Sequence, residues 1–158
     1  MKRRLASGAL AGLVATGTMT VALALAKRAG MLGEPPPRLL TRRLLSAVGI
    51  RVARRSPTVD ALSLAGHAAY GATMGAAFRA LSNRPTTAKG ILFGVSVWAF
   101  SYAGWIPKLG LMAPPAFDRP GRPTSMILAH VVYGATLGVT TRAPRSRGRP
   151  SARSNRHA

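Results

Sequence analysis

Residues 67–79 read HAAYGATMGAAFR, and residues 130–142 read HVVYGATLGVTTR. Both follow H-x-x-Y-G-A-T-x-G-x-x-x-R, in a chain of 158 residues that has three histidines in all. A phrase of this length that recurs once marks a chain built from two tandem halves. Within each copy two glycines stand four apart, Gly71 and Gly75 in the first, Gly134 and Gly138 in the second. Residues four apart share a helix face, and glycine there lets a second backbone come close. Each phrase therefore reads as a helix that packs tightly against another.

The partner helices lie upstream of each copy. Residues 5–26, LASGALAGLVATGTMTVALALA, carry no charge and are bracketed by Lys2-Arg3-Arg4 and Lys27-Arg28. At about 1.5 Å per residue such a stretch crosses a hydrocarbon core of roughly 30 Å. Basic residues on both flanks favour a retained span over a cleaved leader. Residues 90–107, GILFGVSVWAFSYAGWIP, lie between Lys89 and Lys108, with Trp105 where an interfacial aromatic belongs. Each of these stretches has its own four-residue glycine pair, Gly8/Gly12 and Gly90/Gly94. Residues 61–78 and 124–141 are weaker in hydropathy, each rich in Gly, Ala and Thr with one His. Their likeness to each other makes them the second span of each half.

The connecting segments repeat as well. Lys27, Gly33, Pro35-Pro36-Pro37 and Arg38 follow the first span; Lys108, Gly110, Pro114-Pro115 and Arg119 follow the third. The expected fold is all-α, an integral-membrane four-helix bundle made of two tandem hairpins, in a single membrane domain over 1–142. Two spans per half give both halves one orientation, related by an axis along the membrane normal.

Lys and Arg number 23 against three acids, Glu34, Asp60 and Asp118, for a formal charge of +20. The basic residues fall between the apolar stretches, which points to anionic lipid headgroups rather than a specific nucleic acid. Residues 38–55, RLLTRRLLSAVGIRVARR, gather Leu40, Leu44, Leu45, Val48 and Val52 in one helical sector, an expected interfacial helix with its arginines near lipid phosphates. The tail 143–158 has no periodicity and reads as disordered. With no cysteine, disulfides and thiolate chemistry are excluded. The expected location is a bacterial inner membrane, multi-pass. Basic residues divide almost evenly between the two faces, and the leading MKRR tips both termini toward the cytoplasm. Self-association is an expected mode for so small a bundle.

Alternating spans put His67 and His130 at matching depth, with Tyr70 and Tyr133 three residues on and on the same faces. Thr16 and Thr20 of the first span and Ser101 and Tyr102 of the third fall in the same layer. Three readings stand side by side. The histidines and tyrosines lock helix packing; they line a polar pocket or passage, as intramembrane ionisable groups often do; or His67 and His130 are paired axial ligands of a haem. No carboxylate lies within a span, and no triad, zinc or phosphate-loop pattern occurs, so neither enzymatic activity nor a cofactor is expected. Trp98, Tyr102 and Trp105 step along one face, expected to meet lipid.

The stretch from Gly90 to Gly134, through GILFG, PKLGLMAPPAFDRP and ILAHVVYG, resembles the YagU-like family of bacterial inner-membrane proteins. The first half is similar more loosely, through HAAYG. The resemblance implies a multi-span inner-membrane protein associated with acid resistance, and Asp118 falls at the family's loop acid. Acidic residues that members carry before the last span are replaced here by GRPTSM, a departure that counts against a proton-linked role. The expected function is non-enzymatic: an effect on membrane permeability or stress (acid) tolerance through the His/Tyr layer. The alternatives are a structural or partner-binding membrane subunit and a bis-histidine haem redox protein.

Overall fold

The computed structural model describes residues 1–53 and 55–142; Arg54 and the tail 143–158, expected to be disordered, lie outside the described residues. Among the described residues every regular element is helical. Helix α1 spans Lys2–Arg28, α2 Pro36–Ala47, α3 Pro57–Leu81, α4 Thr87–Phe100, α5 Ile106–Lys108 and α6 Arg122–Thr140. A π-helical segment, Ser101–Trp105, joins α4 to α5 without a break. Its cause lies just ahead, because Pro107 has no N–H and its ring would press on the carbonyl four residues back, so the chain widens by a turn.

Local chemistry fixes the boundaries. Ser56 and Thr86 cap α3 and α4, their side-chain oxygens accepting from Val59 N (3.4 Å) and Lys89 N (3.2 Å). Proline stands in the first turn of α2, α3 and α6, where a missing N–H costs nothing. Gly49, at φ +82, stops α2, with Ile50 N returning to Leu45 O at 2.9 Å. This corrects the expectation of one amphipathic helix over 38–55: the helix ends at Ala47, and Arg51 lies beyond it. Within α2, Arg42 and Arg38 reach Glu34 and Asp60 (2.9 and 3.0 Å), while Arg43 donates to Gly110 O at 3.2 Å. These guanidinium groups are turned to protein partners.

In the array α3 packs on α1, α1 on α6, and α6 on α4, whereas α3 and α4 barely touch. The tightest contacts run through glycine. A Cβ added at Gly75 would lie 2.7 Å from Gly12 Cα, and one at Gly8 2.5 Å from Gly75 O. Between α4 and α6 the same relation holds: a Cβ at Gly90 would lie 2.8 Å from Gly138 Cα, and one at Gly94 3.1 Å from Gly134 Cα. Real Cβ atoms essentially never come within 3.0 Å, so these crossings exclude most side chains. Thr18 and Thr136 share a hydrogen bond at 3.0 Å between α1 and α6.

The core mixes small side chains, Ala11, Ala15 and Ala129, with large ones, Met19, Phe78, Tyr102, Tyr133 and Leu137 among them. Every long helix also exposes large apolar side chains: Leu10 and Val21 on α1, Leu64 on α3, Leu92 and Phe100 on α4, Leu128 and Val139 on α6. Two helical stretches, Lys2–Arg28 and Thr87–Lys108, are long and apolar enough to cross a membrane.

Candidate functional site

Behind the open seam between α3 and α4 lies a cavity of about 300 Å³. Thr16 and Met19 of α1 and Met126 of α6 line its inner wall, and Leu40 and Leu44 of α2 close one end. His67 and Tyr70 border it from α3, and His130 and Tyr133 from α6. The two copies of the repeated phrase thus meet at a single space.

They do not meet it in the same way. His130 and Tyr133 are buried. The Tyr133 hydroxyl donates to the Gly71 carbonyl at 2.8 Å, tying α6 to α3 at the glycine that α1 also approaches. His130 Nδ1 lies 2.8 Å from the Met126 carbonyl. A carbonyl only accepts, so Nδ1 carries the hydrogen, and Nε2 of the neutral ring is left as an acceptor. In the first copy His67 and Tyr70 are only partly buried. Tyr70 meets the Ser101 hydroxyl, which itself donates to Val97 O at 2.6 Å. His67 Nε2 is buried without a hydrogen-bond partner among the described residues.

Of the other residues expected in the layer, Thr16 and Ser101 line the cavity, whereas Thr20 and Tyr102 lie elsewhere. Thr20 is exposed, and its hydroxyl is spent on the Thr16 carbonyl at 2.8 Å. Tyr102 is fully buried, so the expected Trp98–Tyr102–Trp105 lipid face does not form. Trp98 packs edge-on to the Tyr102 ring at 6.2 Å, and Trp105 turns to the cavity. The π-helical segment accounts for this, since it shifts the register of every side chain after Phe100 relative to a regular helix.

Tyr102 belongs to a cluster that spacing alone does not announce. Its hydroxyl donates to Asp118 Oδ2 at 2.7 Å, while Asp118 Oδ1 accepts from Arg119 N (2.7 Å) and Arg122 Nη1 (2.8 Å). Both side chains of the Asp118–Arg122 pair are largely buried. Beside it the Arg119 guanidinium lies over Gly33, so the loop after α1 and the loop before α6 are in contact. The sequence signal for this cluster is the i, i+4 Asp–Arg spacing across the start of α6.

Chemically the cavity is an apolar pocket with a few hydrogen-bonding groups. No carboxylate lines it to pair with a histidine, and no group of three or more metal-ligating side chains occurs among the described residues. No protein-family model, curated protein or solved structure matches the chain.

Proposed function

We propose that this chain is a non-enzymatic integral membrane protein. Its four long helices, α1, α3, α4 with its extension, and α6, span the bilayer as two tandem hairpins. The observation that carries the reading is the apolar outer surface of the long helices. Large apolar residues such as Leu10, Leu64, Phe100 and Val139 face outward, while the inward faces carry the glycine crossings and the buried His130 and Tyr133 beside core residues such as Met19 and Leu137. In water that outer surface would be a standing aggregation hazard; in lipid it is the solvated one, and close glycine crossings supply the cohesion that apolar burial cannot. The glycine crossings of α1 with α3 and of α4 with α6 support the two-hairpin repeat. The resemblance of residues 90–134 to the YagU-like family supports an inner-membrane location.

Within that frame, the cavity admits a small, mostly apolar solute that hydrogen-bonds His67, and occupancy of the cavity is how the protein influences permeability or stress tolerance. A volume of about 300 Å³ with few polar groups stands at the small end of ligand pockets. His130 and Tyr133 are committed to backbone carbonyls and act as the lock between hairpins. Asp118, held by three donors, fixes the loop and is not a proton carrier in this reading.

The test compares His67→Phe with His130→Phe for stability and for growth or solute flux under acid stress. His67→Phe removes a buried, unpartnered nitrogen, so stability holds or rises while the phenotype is lost. His130→Phe loses about 1 kcal/mol of stability with its carbonyl bond. Unchanged growth and flux in a folded His67→Phe protein would leave the structural-subunit reading, which the Tyr133–Gly71 bond independently favours. A Soret band in the purified protein would instead establish bis-histidine haem ligation.

A further inference from the structure

The two ends of the helix array differ in charge. All three carboxylates sit where α1 and α4 finish, and each is paired with arginine: Glu34 with Arg42 (2.9 Å), Asp60 with Arg38 (3.0 Å) and Asp118 with Arg122 (2.8 Å). At the opposite end gather Lys2, Arg3, Arg4, Arg79, Arg84 and Lys89, with no acidic residue. Helices α1 and α4 also begin at this end, and neither has an acid in its first turn. Cations at a helix start oppose the positive pole of the peptide dipoles. No carboxylate among the described residues compensates this accumulation.

A second hollow, of about 550 Å³, opens here between the end of α3 and the start of α4. Phe78 and Phe93 form its floor with ring centroids 5.3 Å apart, and the exposed Leu81 and Leu92 continue its walls outward. Ser82, Arg84 and Lys89 form the polar rim. Ser82 is only 8% exposed, and its hydroxyl has no partner among the described residues. The Arg84 guanidinium makes no hydrogen bond or ion pair among them either. Lys89 Nζ reaches only the Arg84 carbonyl, at 3.3 Å. The rim is held in place from α1: Arg4 donates to the carbonyls of Arg79 (3.2 Å) and Ser82 (3.3 Å) and to Asn83 Oδ1 (2.8 Å).

We propose that this hollow binds the phosphate of an anionic phospholipid, with an acyl chain lying over Phe93 and Leu92 along the α3–α4 seam. The proposal rests on the membrane reading above. A buried hydroxyl and two cations at one rim match a phosphodiester, and the absence of any carboxylate there leaves no partner for the ammonium of a zwitterionic headgroup. Free phosphate would satisfy the rim and leave the apolar walls uncovered, whereas a lipid meets both.

The test uses the full chain in phosphatidylcholine nanodiscs, titrated with phosphatidylglycerol and read by the shift in thermal midpoint. Arg84→Gln with Lys89→Gln should weaken the phosphatidylglycerol response roughly 30-fold, the loss of two juxtamembrane cations. Ser82→Ala should weaken it a few-fold. Arg51→Gln with Arg55→Gln, which removes the same charge from the other end, should change it less than about 3-fold. Equal losses in the two double variants would reduce the effect to bulk surface charge and overturn the site, as would an unaltered response in Arg84→Gln/Lys89→Gln. Competition by millimolar inorganic phosphate would overturn the lipid as ligand. Alkaline extraction of native membranes separates this inference from the one beneath it. Protein released into the supernatant sinks the membrane reading, while protein retained in the pellet with an unaltered rim-variant response sinks the lipid site alone.

Discussion

Replacing Gly134 with alanine tests whether close helix approach holds α4 to α6. The new methyl group would lie 2.8 Å from both the carbonyl carbon of Gly90 and the Cα of Ile91, with the Gly90 oxygen nearer still. Carbon atoms in favourable contact sit about 3.5–4.0 Å apart, so α4 must retreat by roughly 1 Å at this crossing. A rigid helix cannot retreat at one residue only, so the contacts at Gly90, Gly94 and Gly138 loosen with it. Overpacking of this kind costs about 1–3 kcal/mol, and alanine's better helix propensity returns up to about 1 kcal/mol, leaving a net loss of about 1–2 kcal/mol. Gly17 is the matched control: it lies in the middle of α1, and a Cβ there meets nothing within 4 Å. Gly17→Ala should therefore stabilise by up to about 1 kcal/mol. The assay is reversible unfolding in mixed micelles with increasing SDS fraction, followed by circular dichroism and by the fluorescence of Trp98 and Trp105. Opposite signs for the two substitutions are expected. A Gly134→Ala protein as stable as the parent would refute the argument, because it would mean that the backbone crossing has slack that the geometry denies.

Other perturbations separate the remaining contacts. Asp118→Asn breaks a largely buried pair and leaves Arg122 uncompensated, so it should cost about 3 kcal/mol in the same titration. Asp60→Asn removes a pair whose acid is 59% exposed and should cost under about 1 kcal/mol; equal costs would deny the burial argument. Tyr133→Phe should cost about 0.6–1 kcal/mol, because the Gly71 carbonyl keeps its place in the α3 hydrogen-bond ladder; a loss above about 3 kcal/mol would mean that the hydroxyl supports more than this one bond. Cysteines introduced singly at Ile50 and Ser154 should react oppositely with an impermeant maleimide in intact cells, with Ser154→Cys protected until lysis if the termini are cytoplasmic. The same accessibility at both positions would rule out four spans.

The parts of the structure that were legible in advance are those set by local rules. Uncharged length located α1, which runs Lys2–Arg28 against an expected 5–26, and the repeated phrase located α3 and α6 although their hydropathy is modest. The glycine spacings named the residues that approach one another, because a Cβ is either tolerated at a crossing or it is not, and that is a property of residue type. What escaped depended on register and on partners distant in sequence. Pro107 is visible in the chain, but the widened segment it forces, Ser101–Trp105, rotates Tyr102 inward, and a regular 3.6-residue wheel places that side chain on the wrong face. Gly49 ended α2 early for the same kind of reason: an apolar sector can be drawn through a glycine, but the backbone leaves the helix there at φ +82. The inequality of the two histidines is the deeper case. His67 and His130 occupy the same place in two copies of one pattern, yet His130 is bonded to a carbonyl and His67 has a buried nitrogen without a partner among the described residues. The repeat specifies the helix and its glycine face. The surroundings of each ring come from the other helices: α2 and Ser101 near the first copy, the Gly71 carbonyl near the second. A twofold pattern in sequence therefore supports a twofold scaffold and leaves its interior asymmetric, and it is the asymmetric half, around His67 and Tyr70, that has hydrogen-bonding capacity to spare.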